Sequence, residues 1–357
     1  MRSGMTWLCP VDAYDEEDGW NDQTARSPFD VPDAAVRSLQ RRRRCGLPDL
    51  CHIPVPAGRG LYQALIEQRW AEIEPDIRLV RAGWNCYHDG IPEGIDVIMY
   101  DAIYRNDLIR AGAIRPIDIA DVWEAEDIFP FALEGLTVDG SLYGIPVFLC
   151  GNFLIYDRDC VILAGAAHIT DLDGESGLLL IASDDPSDRE QYRLEVIADA
   201  AGGSNEGVEQ IMALIDRLAI EAHKKDGSDS IAKAYDAGTG SGYISYSETM
   251  RFLTERASGT EIKTISFNDG DDVPRVYLDA VSVAAGVDGP RYQKCLELMN
   301  VIAEADILTA LSVQDGRPQY LLLPRRSPYA ALIARFPLYA RLEEMAENEN
   351  NLVITGE

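Results

Sequence analysis

The 357-residue chain contains no run of about 18 consecutive apolar residues, so no segment of it is expected to cross a bilayer as a helix. Positive charge is scarce. Thirty-two Lys and Arg stand against 60 Asp and Glu, a formal net charge of -28 at pH 7, which repels nucleic acid and anionic membrane surfaces and favours a neutral or cationic small ligand. Histidine is rarer still, with four residues, and none of His52, His88, His168 and His223 stands at a strand end where it could serve a nucleophile as base. The seven cysteines are an odd set without a Cys-x-x-Cys pair, which argues against a disulfide framework and against a structural zinc site. The N-terminus, "MRSGMTWLCPVDAYDEEDGW", lacks the basic and apolar regions of a secretory signal, and the expectation is a cytoplasmic protein. Arg41–Arg44 is followed by no apolar core and reads as a solvated linker. No internal repeat or long low-complexity segment occurs.

What remains is ordinary globular composition, 46% hydrophobic and 26% charged. The chain exceeds the typical domain of about 100 to 200 residues, so two lobes or one large domain are expected. Residues 1–48, acidic and then arginine-rich, read as an N-terminal extension. From residue 49 short β-rich runs alternate with helical patterns, which predicts an α/β fold with mostly parallel strands. "LYQALIEQRWAEIEP" has helical spacing and stops at Pro75. "GVEQIMALIDRLAIEAHKK" and "RYQKCLELMNVIAEADILTAL" are further helices. "GIDVIMYDAIY", "IPVFLC", "SGLLLIASD", "GYISYSETM", "TISFND" and "RVYLDAVSVAAG" predict strands.

Among the residues that can carry chemistry, Cys150 interrupts an apolar run in "YGIPVFLCGNF". Free cysteine is among the most buried residue types, so core packing is one reading. The following Gly151 and Asn152 mark a place where a strand leaves one layer for another, which allows a second, a nucleophile at a cleft. A cysteine nucleophile needs a base. With no histidine well placed, Glu248 in "ISYSETM" is the best candidate, if burial raises its pKa, although it also fits an exposed glutamate at a helix start. Asp279 in "VYLDAVSV" and Asp101 in "IMYDAIY" are carboxylates inside apolar strands, expensive to bury without a partner from protein or ligand. Asp101 also ends its strand, where open α/β sheets bind ligands. Tyr246, Tyr277, Tyr87 and Trp84 are near these carboxylates in the chain and could stack on a flat heterocycle or simply fill the core. Gly238-x-Gly240-x-Gly242 lacks the strand and helix of a phosphate cradle and reads as a turn. "DLDGES" and "NDGDD" are only fragments of calcium loops.

Taken together, "DVIMYDAIY", "AEDIFPFALEG", "YGIPVFLC", "YSETM", "YLDAVSV" and "RPQYLLLP", in this order, resemble the thiamine pyridinylase (thiaminase I) family from about residue 50 to the C-terminus. The resemblance implies an α/β, two-lobed fold like a type II periplasmic binding protein with a central ligand cleft. It divides the chain into residues 49–150 plus 284–357 as the first α/β lobe and 151–283 as the second. It implies Cys150 as nucleophile, Glu248 as general base, and Asp101, Tyr246, Tyr277 and Asp279 as positions of the pyrimidine pocket. The implied reaction is base exchange at the methylene of thiamine through a covalent cysteine adduct, with a cationic heterocyclic substrate, a nucleophilic acceptor, no metal and no cofactor. The sequence departs from the family at a strand-end Tyr-x-Tyr pair, here Ile53 and Val55, and at a third tyrosine, here Asp229. Those departures keep two alternatives open: the same chemistry on another heterocycle or a peptide, and a solute-binding protein without catalysis.

Overall fold

The computed structural model describes residues 50–52, 59–81, 94–199, 205–267 and 274–356. The expectations for residues 1–48, Ile53, Val55, Trp84 and Tyr87 lie outside the described residues. In chain order the elements that build the site begin with β1 (Leu50–His52), α1 (Arg59–Ile73), β2 (Leu79–Arg81), β3 (Val97–Asp101), β4 (Ile145–Cys150) and β5 (Phe153–Asp157). They continue with β6 (Leu179–Leu180), α2 (Pro186–Asp199), α3 (Asn205–Leu218), α4 (Ser228–Asp236), β7 (Gly242–Ser245), β8 (Thr260–Lys263) and β9 (Arg275–Val283). The last are α5 (Gly289–Ile302), α6 (Ala305–Leu311) and β10 (Leu352–Val353).

Two sheets result. The first runs β10-β9-β3-β1-β2, with β4 on the other edge of β9; the second runs β8-β5-β7-β6. α1 stops ahead of Pro75, whose ring disfavours helical backbone in the preceding residue, and Trp70 Nε1 ties its end by donating to the Ile77 carbonyl at 2.9 Å. All five residues of β3 are buried, as expected of an apolar run covered on both faces. α1 and α5 cover this sheet, joined where Tyr62 Oη donates to the Ile302 carbonyl at 2.9 Å. A separate core of Leu154, Ile181, Tyr192, Met212, Ile215, Ile244 and Phe267 fills the second lobe.

Three expectations are corrected. β9, placed in the second lobe by a boundary at residue 283, pairs antiparallel with both β3 and β4 and is the centre of the first sheet. Its buried run announces burial but not its partners. For the same reason the strands are not mostly parallel. β1 pairs in parallel with β2 and β3, and β9 with β10, but β5 runs antiparallel to β7 and β8. The strand expected at "TISFND" falls earlier, at Thr260–Lys263, while Ser266 makes only an isolated bridge with His168.

The chain leaves the first lobe through Gly151 and Asn152. A Cβ on Gly151 would lie 3.0 Å from the Phe153 ring and 3.1 Å from the Arg275 carbonyl, so this crossing leaves little room for a side chain. The glycines before β7 form the expected turn, with Gly240 at φ +66 and an added Cβ 2.8 Å from the Leu178 carbonyl. Gly240→Ala should therefore cost about 1–3 kcal/mol of stability, through left-handed strain and a backbone clash. Gly286→Ala, whose Cβ would meet nothing within 4 Å, should leave the denaturant midpoint where it is. Equal midpoints for the two variants would contradict this account of the turn.

Candidate active site

The register of the first sheet assembles half of the site. Cys150 at the end of β4 lies opposite Tyr277 on β9, and Asp279, two residues on, lies opposite Phe148 on β4 and Asp101 on β3. Directly opposed residues project from the same face, as do residues two apart along a strand. Cys150, Tyr277, Asp279 and Asp101 therefore share one face.

The second lobe supplies the other half. β7 leads through Tyr246 into a 3-10 turn, Ser247–Phe252, which carries Glu248 to Cys150. Cys150 Sγ donates to Glu248 Oε1 at 3.8 Å, and Ser247 Oγ donates to Glu248 Oε2 at 3.2 Å. The thiol-bearing residue is 3% exposed and the glutamate 4%. The turn is held by Arg251, which donates to the Glu248 carbonyl at 3.1 Å and pairs with Asp229 of α4 at 3.2 Å. Burial pushes the Glu248 carboxyl above its ordinary value, against the opposing pull of Arg251 and hydrogen bonds from its own backbone and Ser247. A destabilised carboxylate is a stronger base, better matched to a thiol.

Asp101 and Asp279 form a carboxyl pair on neighbouring strands. Burial drives Asp101 upward, against an Ile103 N–H donated to its Oδ1 at 3.0 Å. Asp279 is pushed well above the ordinary carboxylate range by burial first, then by Asp101 and Glu248. Like charges this close cannot all ionise cheaply, so the group retains protons and can both donate and accept. Such an edge offers a ligand both a hydrogen-bond donor and acceptors.

A second layer has no distinctive signal in the sequence. Tyr246 Oη donates to Asp188 Oδ1 at 3.4 Å, and Ser228 Oγ donates to the same oxygen at 3.0 Å. Burial, with Asp185 nearby, pushes Asp188 up to about 7. Tyr277 Oη donates to the Gln191 carbonyl at 3.1 Å, and Asn152 Nδ2 to Glu195 Oε1 at 2.7 Å. Ile354, beyond β10, packs into one buried cluster with Cys150, Tyr246 and Tyr277, against Ile103 and Ala198. The signal for α2 was a polar spacing, Asp188, Gln191 and Glu195, that looks the same on a solvated helix face. Of the expected site residues the structure brings together Cys150, Glu248, Asp101, Asp279, Tyr246 and Tyr277. Trp84 and Tyr87 lie outside the described residues. His223, away from this group, pairs with Asp226 at 2.7 Å.

No family model matches the chain. It is 29% identical over 335 residues to Thiaminase-1 of Paenibacillus thiaminolyticus, covering 85% of this chain and 81% of that protein. The structure of Clostridium botulinum thiaminase I in complex with thiamin matches with a TM-score of 0.78 and 26% identity, over 86% of this chain and 94% of that one. A maltose-bound MalE3 of T. maritima shares the fold alone, with a TM-score of 0.61 and 13% identity over 86% of this chain and 89% of its own. The architecture is the two-lobed α/β fold of type II periplasmic binding proteins.

The carboxyl pair makes a prediction about stability. A group whose folded pKa is raised gives its full contribution at low pH and loses it as pH rises through that raised value. Asp279→Asn in the unliganded protein should thus raise the melting temperature by a few degrees near pH 8 and change it little near pH 5. A variant less stable than the parent at pH 8 would show that Asp279 is satisfied as a carboxylate.

Proposed function

We propose that this homologue of thiaminase I is a transferase that exchanges the base on the methylene of thiamine, with Cys150 as nucleophile and Glu248 as general base. The observation that carries this reading is the buried 3.8 Å contact between the two side chains, one from each lobe. Glu248 takes the thiol proton, and the thiolate adds to C6 of the aminopyrimidine. The electron pair driven into the ring expels the thiazolium from the methylene as neutral thiazole. An incoming amine, thiol or other nucleophile forms the new bond at the methylene. Loss of the cysteine sulfur then restores the aromatic ring, with Glu248 handling the acceptor's proton.

Asp101 and Asp279 are assigned to the aminopyrimidine edge, where a retained proton can be donated to a ring nitrogen and a carboxylate can accept from the amino group. Tyr246 and Tyr277 are the stacking faces. The buried setting keeps water from the activated ring, and a fixed positive charge on the substrate offsets the cost of the buried carboxylates. A second reading keeps this chemistry on another heterocycle. It is favoured by Asp229, which stands where the resemblance expects a tyrosine and is committed to Arg251.

Cys150→Ser should abolish thiazole release in an assay with thiamine and a pyridine or aniline acceptor, and should remove any pyrimidine adduct seen by intact-mass spectrometry. Turnover that survives the substitution would sink the nucleophile assignment. Glu248→Gln should lower kcat about 10²–10⁴-fold. The acidic limb of the parent's kcat/KM profile should lie above the ordinary glutamate range and vanish in that variant, because the base works only when ionised. Thiamine left intact by a parent protein that takes up another heterocycle would favour the second reading.

A further inference from the structure

Cys150, Tyr277 and Tyr246 come from separate stretches of chain in two lobes, yet one face of α2 reaches all three. Asn152, two residues beyond Cys150 in the crossing, donates from its side chain to Glu195 Oε1 at 2.7 Å and from its backbone N–H to the same oxygen at 3.4 Å. Asn152 is 5% exposed and Glu195 is 3% exposed. One turn earlier the Gln191 carbonyl holds the Tyr277 hydroxyl, and one turn before that Asp188 holds the Tyr246 hydroxyl. Residues three and four apart lie on one helix face, so these three contacts make a single stripe. Ala198 continues it against the Cys150 cluster.

We propose that α2 braces the active site, with Glu195 a positioning residue for the nucleophile through Asn152, and Asp188 one for the stacking tyrosine Tyr246. The reason is geometric. Gly151 has no side chain to anchor the crossing, so the Asn152–Glu195 bond fixes the backbone that aims Cys150. Two carboxylates buried on one helix face are an expensive way to gain stability alone. Their expense is explained when they hold reacting groups, since a misplacement of about 1 Å can cost on the order of 10²-fold in rate.

For its substrate readouts the brace rests on the thiaminase-like reading, so its test also includes one that needs no substrate. Glu195→Ala, Glu195→Gln, Asn152→Ala and the Glu195→Ala/Asn152→Ala pair are compared in kcat, KM and the rate at which iodoacetamide alkylates Cys150, followed by peptide mass spectrometry. Each alanine variant should lose about 10- to 100-fold in kcat with KM changed by less than about threefold, and the pair should lose no more than either single variant. Glu195→Gln, whose amide oxygen still accepts from Asn152, should recover most of the loss and most of the parent alkylation rate. Asp188→Ala should act differently, raising KM by about tenfold while kcat stays within about threefold.

Parent-like kcat in Glu195→Ala, additive losses in the pair, or a Glu195→Gln variant as impaired as the alanine one would each overturn the proposal. Should Glu195→Ala not fold, Asn152→Ala and Glu195→Gln carry the same comparison. Should the parent not turn over thiamine, the substrate reading fails by itself. The brace then stands on an alkylation rate that shifts in Asn152→Ala but not in Glu195→Gln, and falls if neither shifts.

Discussion

A thiol from one lobe and a carboxyl from the other meet at 3.8 Å where almost no solvent reaches either, and the rest of the site is arranged around that contact. In water the pair would be of little use, because a glutamate is several pKa units too weak a base for a cysteine. Burial changes the balance by penalising the glutamate anion. The same burial adds to the cost of a thiolate, so the charge passed across the contact must soon be taken up by something else. An electron-poor ring carrying a cationic leaving group is suited to that, since electrons entering at carbon depart with a neutral thiazole.

The two aspartates extend this logic. Asp101 and Asp279 face one another across paired strands, with Glu248 near enough to raise Asp279 further. Left to itself the cluster is a local liability. In the proposed reaction a cationic aminopyrimidine would meet it as a matched set of donors, acceptors and counter-charge. Elsewhere the fold places a cation on an acid that serves structure, as with Arg251 on the half-buried Asp229 and Arg291 on the buried Asp96 at 2.5 Å.

The legible part of the sequence was whatever announces itself through local chemistry. Asp101 and Asp279 stood out because a carboxylate inside an apolar strand demands a reason, and Cys150 because Gly151 and Asn152 end its strand abruptly. Whether Cys150 is filler or nucleophile is left open by its own segment, and only the resemblance of the ordered set of segments to a family favours the nucleophile. Register and lobe membership were not legible. β9 reads as a buried strand in either lobe, and only its pairing with β3 and β4 brings Tyr277 to Cys150 and Asp279 to Asp101. The face of α2 was hidden for another reason: Asp188, Gln191 and Glu195 recur at the spacing of a wet helix surface, and nothing local says that this surface is covered. Asp229 reads as a lost tyrosine in one dimension and as the anchor of Arg251 in three.

The same scaffold occurs in the maltose-bound MalE3 of T. maritima, which shares the fold alone. Here the proposed reacting pair, Cys150 and Glu248, is divided between the lobes, and so are the contacts around it. Asn152 in the crossing reaches Glu195, and Tyr277 on the first sheet reaches Gln191. Separating the lobes would withdraw Glu248, Tyr246 and α2 from the thiol together, while Tyr277 would stay beside Cys150 on the first sheet. In the proposed reaction this division keeps the thiol and its base in a setting that water hardly reaches. Sequestration of that kind asks nothing new of the architecture. It needs only a nucleophile at the end of one lobe's strand, a base on the opposite lobe, and a helix face polar enough to hold both lobes to the same geometry.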